Sequence, residues 1–214
     1  MNPGNLPIAY VEAAEEVHNL TGPPRSCPLG VTNDVRERAL RLAREVFTGG
    51  LAAAVSGGQS RTTPPPRPHQ LNAVANLLEA VYRDGGAPEP INYLLQHSTG
   101  SGKSFTIAAL AVALVGWGDC AGGRVGMVLV LNDRLQLDRQ LGSCVEAFWT
   151  GNGRPLASLR RASTTAELSG FLSAPWGAAS RPEVVLTTVQ KLATLWRAGG
   201  GRVRAAAGNG DAGQ

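Results

Sequence analysis

The sequence predicts an α/β fold, a parallel sheet flanked by helices, and three observations carry that expectation. Beyond residue 66, apolar runs of strand length alternate with stretches of helical spacing. One run, "GRVGMVLVL" ending at Leu131, is almost wholly apolar, as strands are in sheets covered on both faces. Between the first such strand and the next helix lies "HSTGSGKS", His97 to Ser104, a glycine-rich turn.

The elements follow in order. "NDVRERALRLAREVF" places Val35, Leu40, Ala43, Val46 and Phe47 on one helical face. Asn33 or Asp34 can cap its start, and Gly49-Gly50 is expected to end it. "GGQSRTTPPPRP" reads as a linker, because three prolines continue neither a helix nor a central strand. "PHQLNAVANLLEAVYRD" is helical by the spacing of Leu71, Val74, Leu77, Leu78 and Val81. "INYLLQ" is a short strand, and "GKSFTIAALAVALVGW" a helix apolar on most faces and hence buried. After "GRVGMVLVL" comes the amphipathic "DRLQLDRQLGSCVEAFW". "PLASLRRAS" is a weak strand, "TTAELSGFL" a short helix, "EVVLTT" a strand and "VQKLATLWRAG" a helix. The expected organisation is a helical leader and linker over 1–66, an α/β domain over 67–197 and a disordered tail over 198–214.

Composition sets bounds on function. The chain has 214 residues with 43% hydrophobic and 17% charged residues, enough for one ordinary domain with a core. Its net charge of +4 permits a polyanionic partner without requiring one. Of the 20 basic residues only Lys103 and Lys191 are lysine, and both fall inside motifs. Cys27, Cys120 and Cys144 are far apart and form neither a metal-ligand spacing nor a disulfide framework, which suits a reducing, intracellular compartment. The N-terminus lacks the basic-then-apolar pattern of a secretory signal, and the longest apolar run, Phe105 to Trp117, is too short to span a bilayer. A soluble protein with no membrane role is expected.

The turn from Thr99 to Ser104 carries the clearest chemistry. Loops of this kind surround a phosphate with backbone N–H groups freed by glycine, and the following helix adds its positive end. Gly100 and Gly102 supply the permissive backbone, Lys103 can reach the β- and γ-phosphates, and the Ser104 hydroxyl can ligate Mg²⁺. His97 stands where the strict G-x-x-x-x-G-K-[ST] pattern has its first glycine. That position lies at the strand end, before the closest approach to phosphate.

Three further segments stand in order around the loop. Arg67 and Gln70 open the preceding helix in "RPHQ", and a glutamine amide carries the donor and acceptor that an adenine edge requires. "NDRLQLDRQL" follows the apolar strand and begins with Asn132, Asp133 and Arg134. "TTVQKL" places Thr187, Thr188, Gln190 and Lys191 at another strand's carboxyl end. Open α/β sheets bind ligands at that edge, and hydroxyls, an amide and a lysine there suit contacts along a nucleic-acid backbone.

Taken together, "RPHQ", "HSTGSGKS", "NDRLQLDRQL" and "TTVQKL" resemble the first motor domain of superfamily 2 helicases and translocases. The likeness runs from Arg67 to Trp196 and is strongest to the motor subunit of type I restriction enzymes. That family pairs R-x-x-Q with H-T-T-G-S-G-K-S, then T-D-R-x-x-L-D-x-Q and T-T-I-Q-K-F, so His97 is an expected feature of it. The resemblance implies an incomplete RecA-like P-loop domain. It implies ATP and Mg²⁺ as ligands, held by Arg67, Gln70, Thr99, Gly100, Ser101, Gly102, Lys103 and Ser104. It also implies DNA-contact or coupling roles for Asp133, Arg134, Thr187, Thr188, Gln190 and Lys191, and other restriction or helicase subunits as partners.

Hydrolysis in this fold needs an acidic strand end to hold the metal and orient water. In the family that is a D-E-x-H box after the T-T-I-Q-K segment. Here the acid that follows Glu183 is Asp211, in a glycine-rich stretch. The expectation is therefore an ATP-binding portion of a motor, cut before that box, that does not hydrolyse ATP alone. No residue is assigned a certain catalytic role beyond charge stabilisation by Lys103. Two alternatives remain open at this point: a self-sufficient P-loop ATPase or kinase using Asp133 on the metal, and a non-enzymatic nucleic-acid-binding remnant.

Overall fold

The computed structural model describes residues 8–12, 33–55, 65–84, 92–121, 125–133, 135–175, 178 and 181–198. The elements in chain order are β1 (Ile8–Glu12), α1 (Asn33–Val55), α2 (Pro68–Asp84), β2 (Asn92–Gln96), α3 (Lys103–Ala121), β3 (Val128–Asn132), α4 (Leu135–Gly151), β4 (Leu159–Arg161), α5 (Thr165–Ser173), β5 (Val184–Thr188) and α6 (Val189–Ala198). A 3₁₀ turn over Leu156–Ser158 leads into β4. The tail from residue 199 and Arg134 lie outside the described residues.

A parallel sheet flanked by helices is present, with strand order β3-β5-β4. Strand β5 is its middle, and all five of its residues are buried. Side chains alternate across a strand, so Val184 and Leu186 enter the large core shared with α1 to α4. Val185 enters a smaller one with Ala162 and Leu168, against which Leu172, Leu192 and Leu195 of the later helices pack. The sequence marked the β3 run as the strand covered on both faces; β5 is instead the fully buried one. Strand β3 stands at the edge of the three, where Leu131 remains 38% exposed.

Strand β2, which feeds the glycine loop, is hydrogen-bonded to β1 in a separate parallel pair, Ile8 to Asn92 through Glu12 to Gln96. The sequence reading assigned no element to "IAYVE". Five residues without turn signals are too few for periodicity to settle. Strand β2 is also tied to the end of α2, because the Tyr93 hydroxyl donates to Asp84 Oδ2 at 2.5 Å. Burial and that neighbouring carboxylate push the Tyr93 phenol well above its usual range.

Helix α1 runs through Gly49 and Gly50 to Val55, past its expected end. The reason is tertiary. A Cβ at Gly49 would stand 2.6 Å from the Gly151 carbonyl oxygen, and one at Gly50 would overlap the Phe148 ring. The two glycines let the backbones of α1 and α4 approach closely, which outweighs a propensity cost of about 1 kcal/mol for each. Phe47 meets Phe148 edge-on at 5.9 Å, and Phe148 stacks on Phe105 of α3 at 6.0 Å. Ala39, Ala43, Val46 and Leu51 of α1 lie in the same core as α3 and α4. The Arg36 guanidinium also donates to Asn76 and Glu79 of α2. The proline-rich stretch separates α1 from the α/β segment in sequence while the two share one core.

A candidate phosphate-binding site

The site begins where β2 ends. Gly100 has φ +77° and Gly102 has φ +86°, a region that L side chains avoid and glycine enters freely. These two reversals turn the chain from the strand into α3, whose first residue is Lys103. The opening N–H groups of a helix have no partner within it, so the amides of Lys103 and Ser104 start the helix with donors available. The Lys103 ammonium folds back and donates to the carbonyls of His97 and Ser98 at 2.9 and 3.0 Å.

The first turn of α2 lies against this loop. Pro68 occupies the first helical position, where its missing N–H is no loss. Gln70 is 4% exposed and uses its whole carboxamide. Oε1 accepts from the Arg67 N–H at 3.0 Å, while Nε2 donates to the carbonyls of Ser101 and Gly102 at 3.2 and 3.3 Å. His69 Nε2 lies 3.1 Å from the same Ser101 carbonyl. A carbonyl can only accept, so that nitrogen carries the proton. The Arg67 guanidinium donates to the Gly100 carbonyl at 3.3 Å. Sequence reasoning found Arg67 and Gln70 but missed His69, and the neighbouring "PHQ" letters were the available signal.

His97 stands beside His69, ring to ring at 5.4 Å and nearly perpendicular. Both its nitrogens are buried without a hydrogen-bond partner among the described residues. Burial first, then the charges of His69 and Lys103, hold its imidazole below the ordinary histidine range, so it is kept neutral. On the other flank, the Cys144 thiol of α4 donates weakly to the Ser104 carbonyl at 3.6 Å. Burial pushes that thiol up to about 11, so it is a packing group and not a reactive thiolate.

The second group of sequence-selected residues gathers at the carboxyl edge of the three-stranded sheet. Parallel pairing sets Leu131 against Thr187 and Asn132 against Thr188. The Gln190 amide crosses from α6 and donates to the Asp133 carbonyl at 2.9 Å. Gln190 and Asp133 are exposed and Lys191 is half-buried, whereas Thr187 and Thr188 are 1% and 4% exposed. An open apolar groove of 490 Å³ along α6, lined by Val189, Leu192, Ala193, Trp196 and Arg197, includes no loop residue. Among the described residues no cluster of three or more His, Cys, Asp or Glu side chains could hold a metal, and no helix is long and apolar enough to cross a membrane.

The described elements are those of an α/β domain of RecA-like kind, with a strand that turns through two positive-φ glycines into a lysine-led helix. The sequence profile of the SWI2/SNF2 ATPase matches residues 69–205, more than half of the chain, and the chain belongs to that family. It is therefore a helicase-like ATPase domain, with ATP as its nucleotide. Comparison with curated proteins and with solved structures gives no match.

Proposed function

We propose that the chain is the ATP-binding portion of a DNA translocase of the type I restriction enzyme kind. The loop from Thr99 to Ser104 binds Mg-ATP, and the edge formed by Asp133 and the Thr187-to-Lys191 segment contacts DNA through its outward residues Gln190 and Lys191, with Thr187 and Thr188 buried behind them. The observation that carries the nucleotide half is the backbone of Gly100 and Gly102, at φ +77° and +86°, leading into Lys103 at a helix start. The residues fit a polyphosphate: a Cβ at Gly100 would meet nothing within 4 Å, so that side of the loop is open. Lys103 supplies the cation, and the Ser104 hydroxyl would hold Mg²⁺, which neutralises phosphate charge when bound. Lys191 and Arg197, both on α6, supply positive charge for a DNA backbone. DNA, other motor or restriction subunits and a cellular location inside the cell remain parts of the same proposal.

Equilibrium titration with Mg-ATP tests it. Lys103→Ala is expected to weaken binding by about a hundredfold or more, because it removes a charge-assisted contact to phosphate. Unchanged affinity in that variant would overturn the assignment of the loop. The second reading, a self-sufficient P-loop ATPase, is favoured by the position of Asp133 directly after the apolar strand β3. It requires steady turnover by the purified chain that Asp133→Asn abolishes while ATP affinity is kept.

A further inference from the structure

Helix α1 lies before the residues that the family profile covers, and a proline-rich stretch separates it from them. Its packing does not follow that division. Towards α2, the Arg36 guanidinium donates to Asn76 at 3.2 Å and to Glu79 at 3.1 Å. Towards α4 the two backbones meet: a Cβ at Gly151 would collide with the Gly49 carbonyl oxygen. There the Asn152 amide donates to the Val46 carbonyl at 3.0 Å.

Helices α2 and α4 are also the two that touch the glycine loop and the start of α3. Helix α2 does so through His69 and Gln70, and α4 through the Cys144 thiol on the Ser104 carbonyl. Phe148 comes one turn after Cys144, on the same face of α4, and stacks on Phe105 with 26° between the rings. Phe47 completes the row from α1, standing edge-on to Phe148 at 84°. Phe47 and Phe148 are fully buried. A close-packed interior leaves no room for one ring of such a row to move alone.

Phe105 is where the row reaches the loop. Its N–H donates to the Gly102 carbonyl at 3.0 Å, and that of Thr106 does so at 3.2 Å. These bonds open α3, so the place of the Phe105 ring and the direction of the helix start are set together. The amides of Lys103 and Ser104 stand just before, without partners inside the helix. We infer that α1 is part of the nucleotide-binding domain and that Phe47 is a positioning residue: through Phe148 and Phe105 it holds the start of α3, so that these amides are set for phosphate before a ligand arrives. The inference rests on the phosphate-loop reading above and deepens it.

The test sets Mg-ATP affinity against stability, in the full chain and well below its melting temperature. Phe47→Leu removes the edge-on ring and is expected to weaken Mg-ATP binding by about fivefold. Val46→Ala and Leu51→Ala take apolar volume from the same helix and core but leave all three rings in place. Both should lower the melting temperature, Leu51→Ala at least as far as Phe47→Leu, yet keep Mg-ATP affinity within about twofold. Phe47→Met, which nearly keeps the volume without a ring, serves if Phe47→Leu does not fold.

Mg-ATP binding by the Phe47 variant as tight as by the unaltered chain overturns the inference. So does a loss of affinity that follows the lowered melting temperature across all the variants, which would make α1 a stabiliser only. If the unaltered chain does not bind Mg-ATP, the phosphate-loop reading itself falls and this inference falls with it. Binding by the unaltered chain with either adverse result leaves that reading standing and removes only the role of Phe47. A second measurement needs no substitution. Coupling is reciprocal, so Mg-ATP should slow amide exchange around Phe47 in α1 by more than in α5, which packs on the smaller core. Equal slowing in the two helices, or none in α1, counts against the inference.

Discussion

The two edges of this molecule proposed to meet ligands are built on different plans. After β2, the loop residues are held by several side chains: the Gly100 carbonyl by Arg67, those of Ser101 and Gly102 by α2, two by Lys103, and the Ser104 carbonyl by Cys144. After β3 and β5, strand pairing carries the two segments to their ends, and the Gln190 amide on the Asp133 carbonyl links them beyond it. The difference follows from what each edge offers. A seat made of backbone amides has no side chain of its own to adjust, so its geometry must be fixed by neighbours before a ligand arrives. The edge proposed to meet DNA presents the long side chains of Gln190 and Lys191, which could adjust to a backbone of phosphates with less support.

The largest break in that contrast is expected from Gly102→Ala. The substitution forces a side chain onto a residue at φ +86° and sets its Cβ 2.5 Å from Gln70 Nε2. Strain of about 1–3 kcal/mol should appear as a lower melting temperature, together with loss of detectable Mg-ATP binding. Gly100→Ala is the matched control. Its φ is +77° but its Cβ would meet nothing within 4 Å, so it carries backbone strain without a collision. If thermal scans show equal losses for the two, the contact between α2 and the loop contributes nothing, and the supported edge is not a supported one.

Acid should separate the two edges next. His97 is held neutral mainly by burial, and His69 and Lys103 beside it add to the shift in the same direction. The unfolded chain protonates this imidazole near pH 6.5 while the folded chain resists, so the unfolded state binds more protons as pH falls. Stability from this group is complete above that pH and declines below it. Melting temperatures measured from pH 7.5 down to about 5.5 should fall. His97→Phe, which keeps a ring and removes two unpartnered nitrogens, should flatten the slope. A slope unchanged in that variant would place the sensitive group elsewhere.

These tests bear on what the sequence could and could not convey. The order "RPHQ", "HSTGSGKS", "NDRLQLDRQL", "TTVQKL" was legible because each motif sits at a strand or helix end, and local turn chemistry fixes such ends. The capping box of α5, with Thr164 and Glu167 exchanging bonds, is equally local. What escaped was set by neighbours remote in sequence. Gly49-Gly50 looks like a helix stop until Phe148 and Gly151 are known to lie against it. Strand β1 becomes a strand by pairing with β2, more than eighty residues on. The alternation of β5 between two cores depends on helices on both sides, which the five letters VVLTT cannot announce. Most of all, nothing in "RPHQ" says that the glutamine faces loop carbonyls.

The smallest expected effect belongs to the second edge, and Thr187 carries it. Its side chain is 1% exposed, and its hydroxyl has no hydrogen-bond partner among the described residues. A buried hydroxyl left unpaired costs about 1–3 kcal/mol, whereas a methyl in the same space costs nothing of that kind. Thr187→Val should therefore leave the fold intact and raise stability by up to about 1 kcal/mol, readable in a denaturant titration as a higher midpoint with the same slope. DNA affinity at low salt should not change, because the hydroxyl faces the interior while Gln190 and Lys191 face outward to different degrees. A clear loss of DNA affinity in Thr187→Val, with stability unmoved, would mean that the edge opens to bring Thr187 onto the nucleic acid. The second edge would then be one that reorganises on binding, which is the opposite of the preset loop after β2.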